Sequence, residues 1–201
     1  MTSFDELFGD VPLMAILRGV GVERSLELSS KAWDLGIHHV ELPVQSPTDL
    51  EALRVTCAEG RERGRLVGAG TVISPDQIPA IAEAGAAFTV SPGLDLEVVR
   101  ASESAGMPSL PGVATPTEIQ TAVAAGLTWL KAFPAAQLGT AWFTAMAGPF
   151  PQVKFVATGG MDANNAGDFL AAGVRCVAVG SALAHPTQLD RLSLLLGSGG
   201  D

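Results

Sequence analysis

The chain of 201 residues contains three lysines, and one of them has a setting suited to chemistry. Lys131 lies in Thr128-Trp129-Leu130-Lys131-Ala132-Phe133, a short apolar run that reads as a strand. Side chains alternate faces along a strand, so Trp129, Lys131 and Phe133 share one. Aromatic neighbours desolvate an ammonium and favour the neutral amine, the form that attacks a carbonyl carbon. The same residues also suit a lysine whose stem packs while its head reaches water, and spacing alone leaves both readings open. Glu41 is the one carboxylate embedded in an apolar strand, Val40-Glu41-Leu42. A carboxylate there needs a partner or a task. The partner would be Arg18 or Lys131, and the task would be general acid/base catalysis by a carboxyl of raised pKa.

Two turns of small residues suit an anion. Thr158-Gly159-Gly160 and Val179-Gly180-Ser181 each follow an apolar run, and glycine lets backbone N–H groups approach phosphate oxygens. Tight turns alone would also explain these glycines. Metal chemistry has little support, because His38, His39 and His185 form no HExxH pattern and Cys57 and Cys176 stand apart. No cofactor is expected.

The elements that would position these groups recur with a regular beat. Strands are predicted at 13–18, 38–44, 66–72, 87–91, 108–113, 128–133, 153–158 and 176–181. Helical stretches at 23–35, 48–60, 76–84, 95–105, 117–125, 140–147, 164–172 and 187–196 follow them in turn. Most helices hand over to the next strand through a glycine such as Gly36, Gly64 or Gly85, the residue that ends a helix at its C′ position. Ser46-Pro47, Ser74-Pro75 and Thr115-Pro116 place a capping hydroxyl before a proline at the first helical position. Gln77 and Glu118 complete capping boxes in the last two. These caps have a sufficient structural explanation and are assigned no chemistry.

Apolar strands alternating with helices predict a parallel sheet covered by helices. Eight such units predict an α/β fold, a single-domain (β/α)₈ TIM barrel spanning 1–201. An open doubly wound sheet is the alternative, but its first turn should read GxGxxG, and Arg18-Gly19-Val20-Gly21 does not. Catalytic groups of a barrel sit at the C-terminal ends of its strands. That leaves Arg18, Glu41, Thr71 and Lys131, while Lys31 falls in the first helix and Lys154 at the opposite, stability-bearing face.

Composition bounds the rest. At 47% hydrophobic and 16% charged the chain can bury a large core. A net charge of −9 argues against nucleic acid and anionic lipid as partners. The acidic start does not read as a signal peptide, and no apolar run approaches the roughly 20 residues of a membrane span. The expectation is a soluble cytoplasmic protein with a small-molecule partner.

Taken in order, the segments PLMAILRG (12–19), VELPVQSP (40–47), VGAGTV (67–72), SPG (91–93), PGVATPTE (111–118), LKAFPA (130–135), AGPFPQVKFVATGG (147–160) and VGSALA (179–184) resemble the 2-keto-3-deoxy-6-phosphogluconate aldolase family. Its relatives for 6-phosphogalactonate and 4-hydroxy-2-oxoglutarate are included in that resemblance, which runs across nearly the whole chain. It implies a class I aldolase acting on a keto-acid phosphate, with Lys131 as the Schiff-base lysine and Glu41 as general acid/base. By the same resemblance Arg18 and Thr71 bind the substrate carboxylate end, and Pro92 and Phe133 wall the pyruvate pocket. Thr158, Gly159, Gly160 and Ser181 fall at the phosphate side, and the assembly would be a homotrimer. One position departs: phosphogluconate enzymes commonly carry an arginine shortly after the glutamate, where this chain has Gln45. Arg18 would then hold the carboxylate alone. The Pro-x-x-Ser-Pro after Glu41 resembles the phosphogalactonate branch, and Thr158 the phosphogluconate branch. The competing readings are another phosphate-binding barrel enzyme, an isomerase or synthase, and a non-catalytic sugar-phosphate sensor.

Overall fold

A computed structural model describes residues 4–9, 11–180, 183 and 186–197. Its strands are β1 Leu13–Ile16, β2 His39–Pro43, β3 Leu66–Gly70, β4 Phe88–Val90, β5 Ser109–Leu110, β6 Gly112–Val113, β7 Trp129–Ala132, β8 Lys154–Thr158 and β9 Cys176–Val179. The helices are α1 Phe4–Phe8, α2 Val22–Asp34, α3 Pro47–Glu62, α4 Ile78–Glu83, α5 Leu96–Ser104, α6 Pro116–Ala124, α7 Ala135–Leu138, α8 Thr140–Ala147, α9 Ala166–Ala171 and α10 Pro186–Gly197.

All pairings are parallel, in the order β5-β4-β3-β2-β1-β9-β8-β7-β6. The two outermost strands, β5 and β6, are halves of the single strand predicted at 108–113. Pro111 separates them because it has no N–H to give to a ladder. Ser109 and Leu110 pair with β4, whereas Gly112 and Val113 pair with β7. The Pro111 carbonyl accepts from the Lys131 amide at 2.9 Å, so this one segment brings the sheet round to near closure as a barrel. Eight predicted strands and nine observed ones therefore describe the same architecture.

The helix ends follow the sequence. Gly36, Gly85, Gly106, Gly126 and Gly173 all take positive φ between 82° and 94°, a region where a Cβ would be strained. Ser74–Gln77 and Thr115–Glu118 form the capping boxes, and the Ser46 hydroxyl accepts from the Asp49 amide.

Two apolar layers result. One lies between strands and helices, and the other fills the barrel interior with Met14, Phe88, Val90, Leu110, Trp129, Val156, Cys176 and Ala178. Helix α1 plugs the end where the strands begin. Its Phe8 ring stacks on Trp129 at 5.2 Å and meets the His39 ring at a tilt, 4.7 Å between centres. Asp5 fixes the plug by accepting from Trp129 Nε1 at 3.1 Å and pairing with Lys154. Lys154 thus sits at the stability face, as its place at a strand start implies. Trp129 shares the inward face with Lys131 but belongs to the plug.

His39 is 3% exposed, and burial pushes its pKa from 6.5 down to about 4. A depressed folded pKa means stability that is present above the unfolded value and lost as pH falls through the folded one. Wild-type thermal midpoints should therefore fall between pH 6.5 and 4, by an amount equivalent to roughly 3 kcal/mol. His39→Gln should flatten that window; an unchanged slope would show that His39 does not govern it.

Candidate active site

Each proposed group is delivered by the C-terminal end of a strand. Arg18 follows β1 by two residues, Glu41 lies in β2, Thr71 directly follows β3, and Pro92 follows β4 by two. Lys131 lies in β7 with Phe133 just beyond it, and Thr158 ends β8 ahead of Gly159 and Gly160. A cavity of about 920 Å³ opens among them, lined by Arg18, Thr71, Pro92, Lys131, Phe133, Thr158, Gly159 and Gly160. Ser181 lies outside the described residues. Glu41 does not line the cavity; it lies buried in the wall, only 1% exposed.

Lys131 is 3% exposed, with Nζ 5.1 Å from the centre of the Phe133 ring. Burial lowers its pKa, Glu41 partly restores it and Arg18 lowers it further. Burial raises the Glu41 carboxyl, against the smaller opposing pull of Lys131 and Arg18. Neither Glu41 oxygen has a hydrogen-bond partner among the described residues. The buried ion pair weighed from sequence is therefore replaced by an interaction through space. Both shifts favour the uncharged forms, an amine able to add to a ketone and a carboxyl able to hold or release a proton nearby.

The glycines in this wall are positional. A Cβ at Gly70 would fall on the Glu41 carboxylate, so β3 has a glycine where the Glu41 side chain reaches across from β2. Gly68 and Gly70, two residues apart in a strand, are the sequence signal of such a close approach. Gly70→Ala should displace the carboxyl and cut turnover in parallel with loss of Glu41 itself. Activity close to wild type would place the working acid elsewhere. Gly112 admits the Pro92–Gly93 backbone in the same way, which sets Pro92 at the cavity wall.

At the opposite side, Gly159 and Gly160 have φ of 95° and 75°. Among the described residues their amides donate to no backbone carbonyl. A Cβ at Gly159 would stand 3.1 Å from the Phe133 ring. Facing this end, Arg18 is anchored: Nη1 donates to Gln45 Oε1 at 2.7 Å and to Thr71 Oγ1 at 3.3 Å. Thr71 has φ 58°, a left-handed backbone rare for a β-branched residue, and it lies at the cavity wall. Gln45, Met161 and Asp162 adjoin or line the site without having been assigned to it from sequence. No local pattern distinguishes the latter two, and Gln45 stood out only as a departure.

A nearly closed parallel barrel with a desolvated amine, a buried carboxyl beside it, a cation at one end and glycine amides at the other defines an enzyme equipped for imine chemistry on an anionic keto acid. The comparisons agree. Residues 4–193 match the family model for KDPG and KHG aldolase. The chain is 36% identical over 176 residues to the probable 2-dehydro-3-deoxy-6-phosphogalactonate aldolase of Rhizobium meliloti, covering 87% of this chain and 82% of that one. It is 33% identical over 171 residues to the KHG/KDPG aldolase of Escherichia coli, covering 85% and 79%. The crystal structure of KDPG aldolase from Legionella pneumophila, with pyruvate captured as a covalent carbinolamine, superposes with a TM-score of 0.84. That likeness covers 100% of this chain and 99% of the other at 31% identity. This chain belongs to the KDPG and KHG aldolase family, and it is a pyruvate-dependent aldolase, a lyase.

Proposed function

We propose that the protein cleaves 2-keto-3-deoxy-6-phosphogluconate, its 6-phosphogalactonate epimer, or both, to pyruvate and glyceraldehyde 3-phosphate, with 4-hydroxy-2-oxoglutarate as a further substrate. The observation that carries this reading is Lys131, a desolvated lysine facing a cavity with a cation at one end and, at the other, glycine amides that donate to no backbone carbonyl among the described residues. Lys131 adds to the C2 ketone to give a carbinolamine, whose hydroxyl takes a proton from the neutral Glu41 carboxyl and leaves as water, giving an iminium and a Glu41 carboxylate. The iminium accepts the electron pair of the C3–C4 bond as Glu41, directly or through water, removes the C4 hydroxyl proton. Glyceraldehyde 3-phosphate departs, the enamine is protonated at C3, and water releases pyruvate and the free amine. The lysine supplies the electron sink, so the cycle closes with no cofactor in it.

Arg18 and Thr71 hold the carboxylate end, Pro92 and Phe133 wall the pyruvate unit, and Thr158, Gly159, Gly160 and Ser181 receive the far end. Incubation with pyruvate and sodium borohydride should yield a reduced adduct that maps to Lys131. A protein that binds pyruvate yet forms no adduct would not be an imine aldolase. Rates with the two C4 epimers and with 4-hydroxy-2-oxoglutarate then rank the substrates. Gly159→Asp should raise KM for the phosphorylated aldehyde by placing a like charge at the glycine turn. Because its Cβ presses on Phe133, kcat should fall too. An unchanged KM would move the phosphate site.

The enzyme is further inferred to be a cytoplasmic homotrimer. Two buried free cysteines suit a reducing compartment, and Ile73, 64% exposed, suits a surface covered on self-association. Light scattering tests the trimer against a monomer mass of 20.6 kDa.

A further inference from the structure

The carboxylate end of the cavity is held by more than the residues that would touch substrate. Arg18 is exposed at the cavity rim, on a loop, where a long side chain has many rotamers to lose. Its Nη1 group has two hydrogens, and both are engaged, one by Gln45 and one by Thr71. Among the described residues the Nη2 and Nε hydrogens have no acceptor, and that edge of a guanidinium matches a carboxylate with two parallel hydrogen bonds. The Thr71 hydroxyl accepts from Arg18 and donates to no group among the described residues, so its proton can serve the same carboxylate.

The two acceptors sit on different loops, Gln45 after β2 and Thr71 after β3. Gln77 ties those loops together. Its Oε1 accepts from the amides of Ile73 at 2.8 Å and Ser74 at 3.1 Å, completing the cap, while its Nε2 donates to the Val44 carbonyl at 3.2 Å. Val44 precedes Gln45, and Ile73 lies two residues beyond Thr71. The Gln45 amide is itself held by Asp49 Oδ2 at 3.2 Å, in the first turn of α3. A capping box with a purely local purpose would not need the bond to Val44.

We propose that Gln45 and Gln77 form a neutral brace that sets the Arg18 guanidinium for a carboxylate, Gln45 directly and Gln77 by fixing the distance between the loops that carry Gln45 and Thr71. They are positioning residues. A neutral Gln45 leaves a single cation at this end, matched to the single carboxylate of a 2-keto acid. The inference rests on the imine reading of Lys131, through which it is measured.

The pyruvate concentration giving half-maximal borohydride trapping is the readout. Gln45→Leu removes one acceptor and should raise that concentration by about five- to tenfold, the size of one lost hydrogen bond. Gln77→Glu keeps an acceptor oxygen for both cap amides but, as a carboxylate, cannot donate to Val44. It should raise the same concentration by roughly two- to fivefold while leaving the thermal midpoint within about 2 °C of wild type. Trapping of pyruvamide, a ketone of the same size without the carboxylate, should stay near wild type in both variants. Wild-type half-saturation by pyruvate in both variants, or an equal rise with pyruvamide, overturns the brace alone. No adduct in the wild-type protein overturns the brace together with the imine reading beneath it.

Discussion

Lys131→Met should abolish the borohydride adduct, lower turnover by at least about 10⁵-fold, equivalent to some 7 kcal/mol of barrier, and make the protein more stable. Loss of the adduct follows because methionine offers no amine, and no second lysine is available. Lys31 pairs with Glu27 on the surface, and Lys154 is tied to Asp5 at the plugged end. The gain in stability follows from the sign of the shift. The folded pKa of Lys131 is depressed below 10.5, so charging the buried amine costs free energy that charging it in the unfolded chain does not. That penalty is absent above the unfolded pKa and grows as pH falls towards the folded one. A methionine of similar length avoids it. The expected result is a variant with no activity and a higher thermal midpoint at neutral pH, to be checked by trapping, steady-state rates and thermal unfolding together. Retained turnover would remove the lysine from the chemistry. A large drop in midpoint would mean that the amine is a structural partner.

The legible and illegible parts of this site divide along a physical line. Strand ends could be read because β-then-α punctuation is local: prolines after capping hydroxyls and glycines at positive φ leave signatures within a few residues. Lys131 could be singled out because β7 gives it an aromatic neighbour at Phe133 on its own face. What could not be read depends on which strands become neighbours. Gly70 makes room for Glu41 only because β3 pairs with β2 in the observed register, with Gly68 opposite Glu41 and Gly70 opposite Pro43. Gln45 and Gln77 reach across separate loops, at sequence distances where no periodicity links them. Trp129 was legible as sharing the face of Lys131 but not as part of the plug, because its partner, Asp5, lies 124 residues away. The division of one strand at Pro111 also follows from closure: a strand between β4 and β7 must serve two neighbours, and the proline lets its halves do so separately.

Glu41→Gln should slow turnover by about 10²–10⁴-fold while the reduced pyruvate adduct on Lys131 still forms, which separates the proton-transfer group from the imine-forming one. The amide keeps the shape of the side chain but cannot take the C4 hydroxyl proton. The substitution also removes an ionisation that the fold resists. Burial raises the Glu41 carboxyl above 4.5, so its contribution to stability is complete below the unfolded value and is lost as pH rises through the folded one. A glutamine has no such loss. The gain in thermal midpoint over wild type should therefore be smallest below pH 4.5 and should widen as pH rises. Gly70→Ala provides the control, because it displaces the carboxyl without neutralising it. Activity should fall in both variants, while the widening stability gap belongs to Glu41→Gln alone. If Glu41→Gln lost activity without any pH-dependent gain, the acid would already be charged and solvated in the wild-type fold. Glu41 would then rest as the carboxylate base, whereas near-wild-type turnover in Glu41→Gln would assign the proton transfer to another group at the cavity.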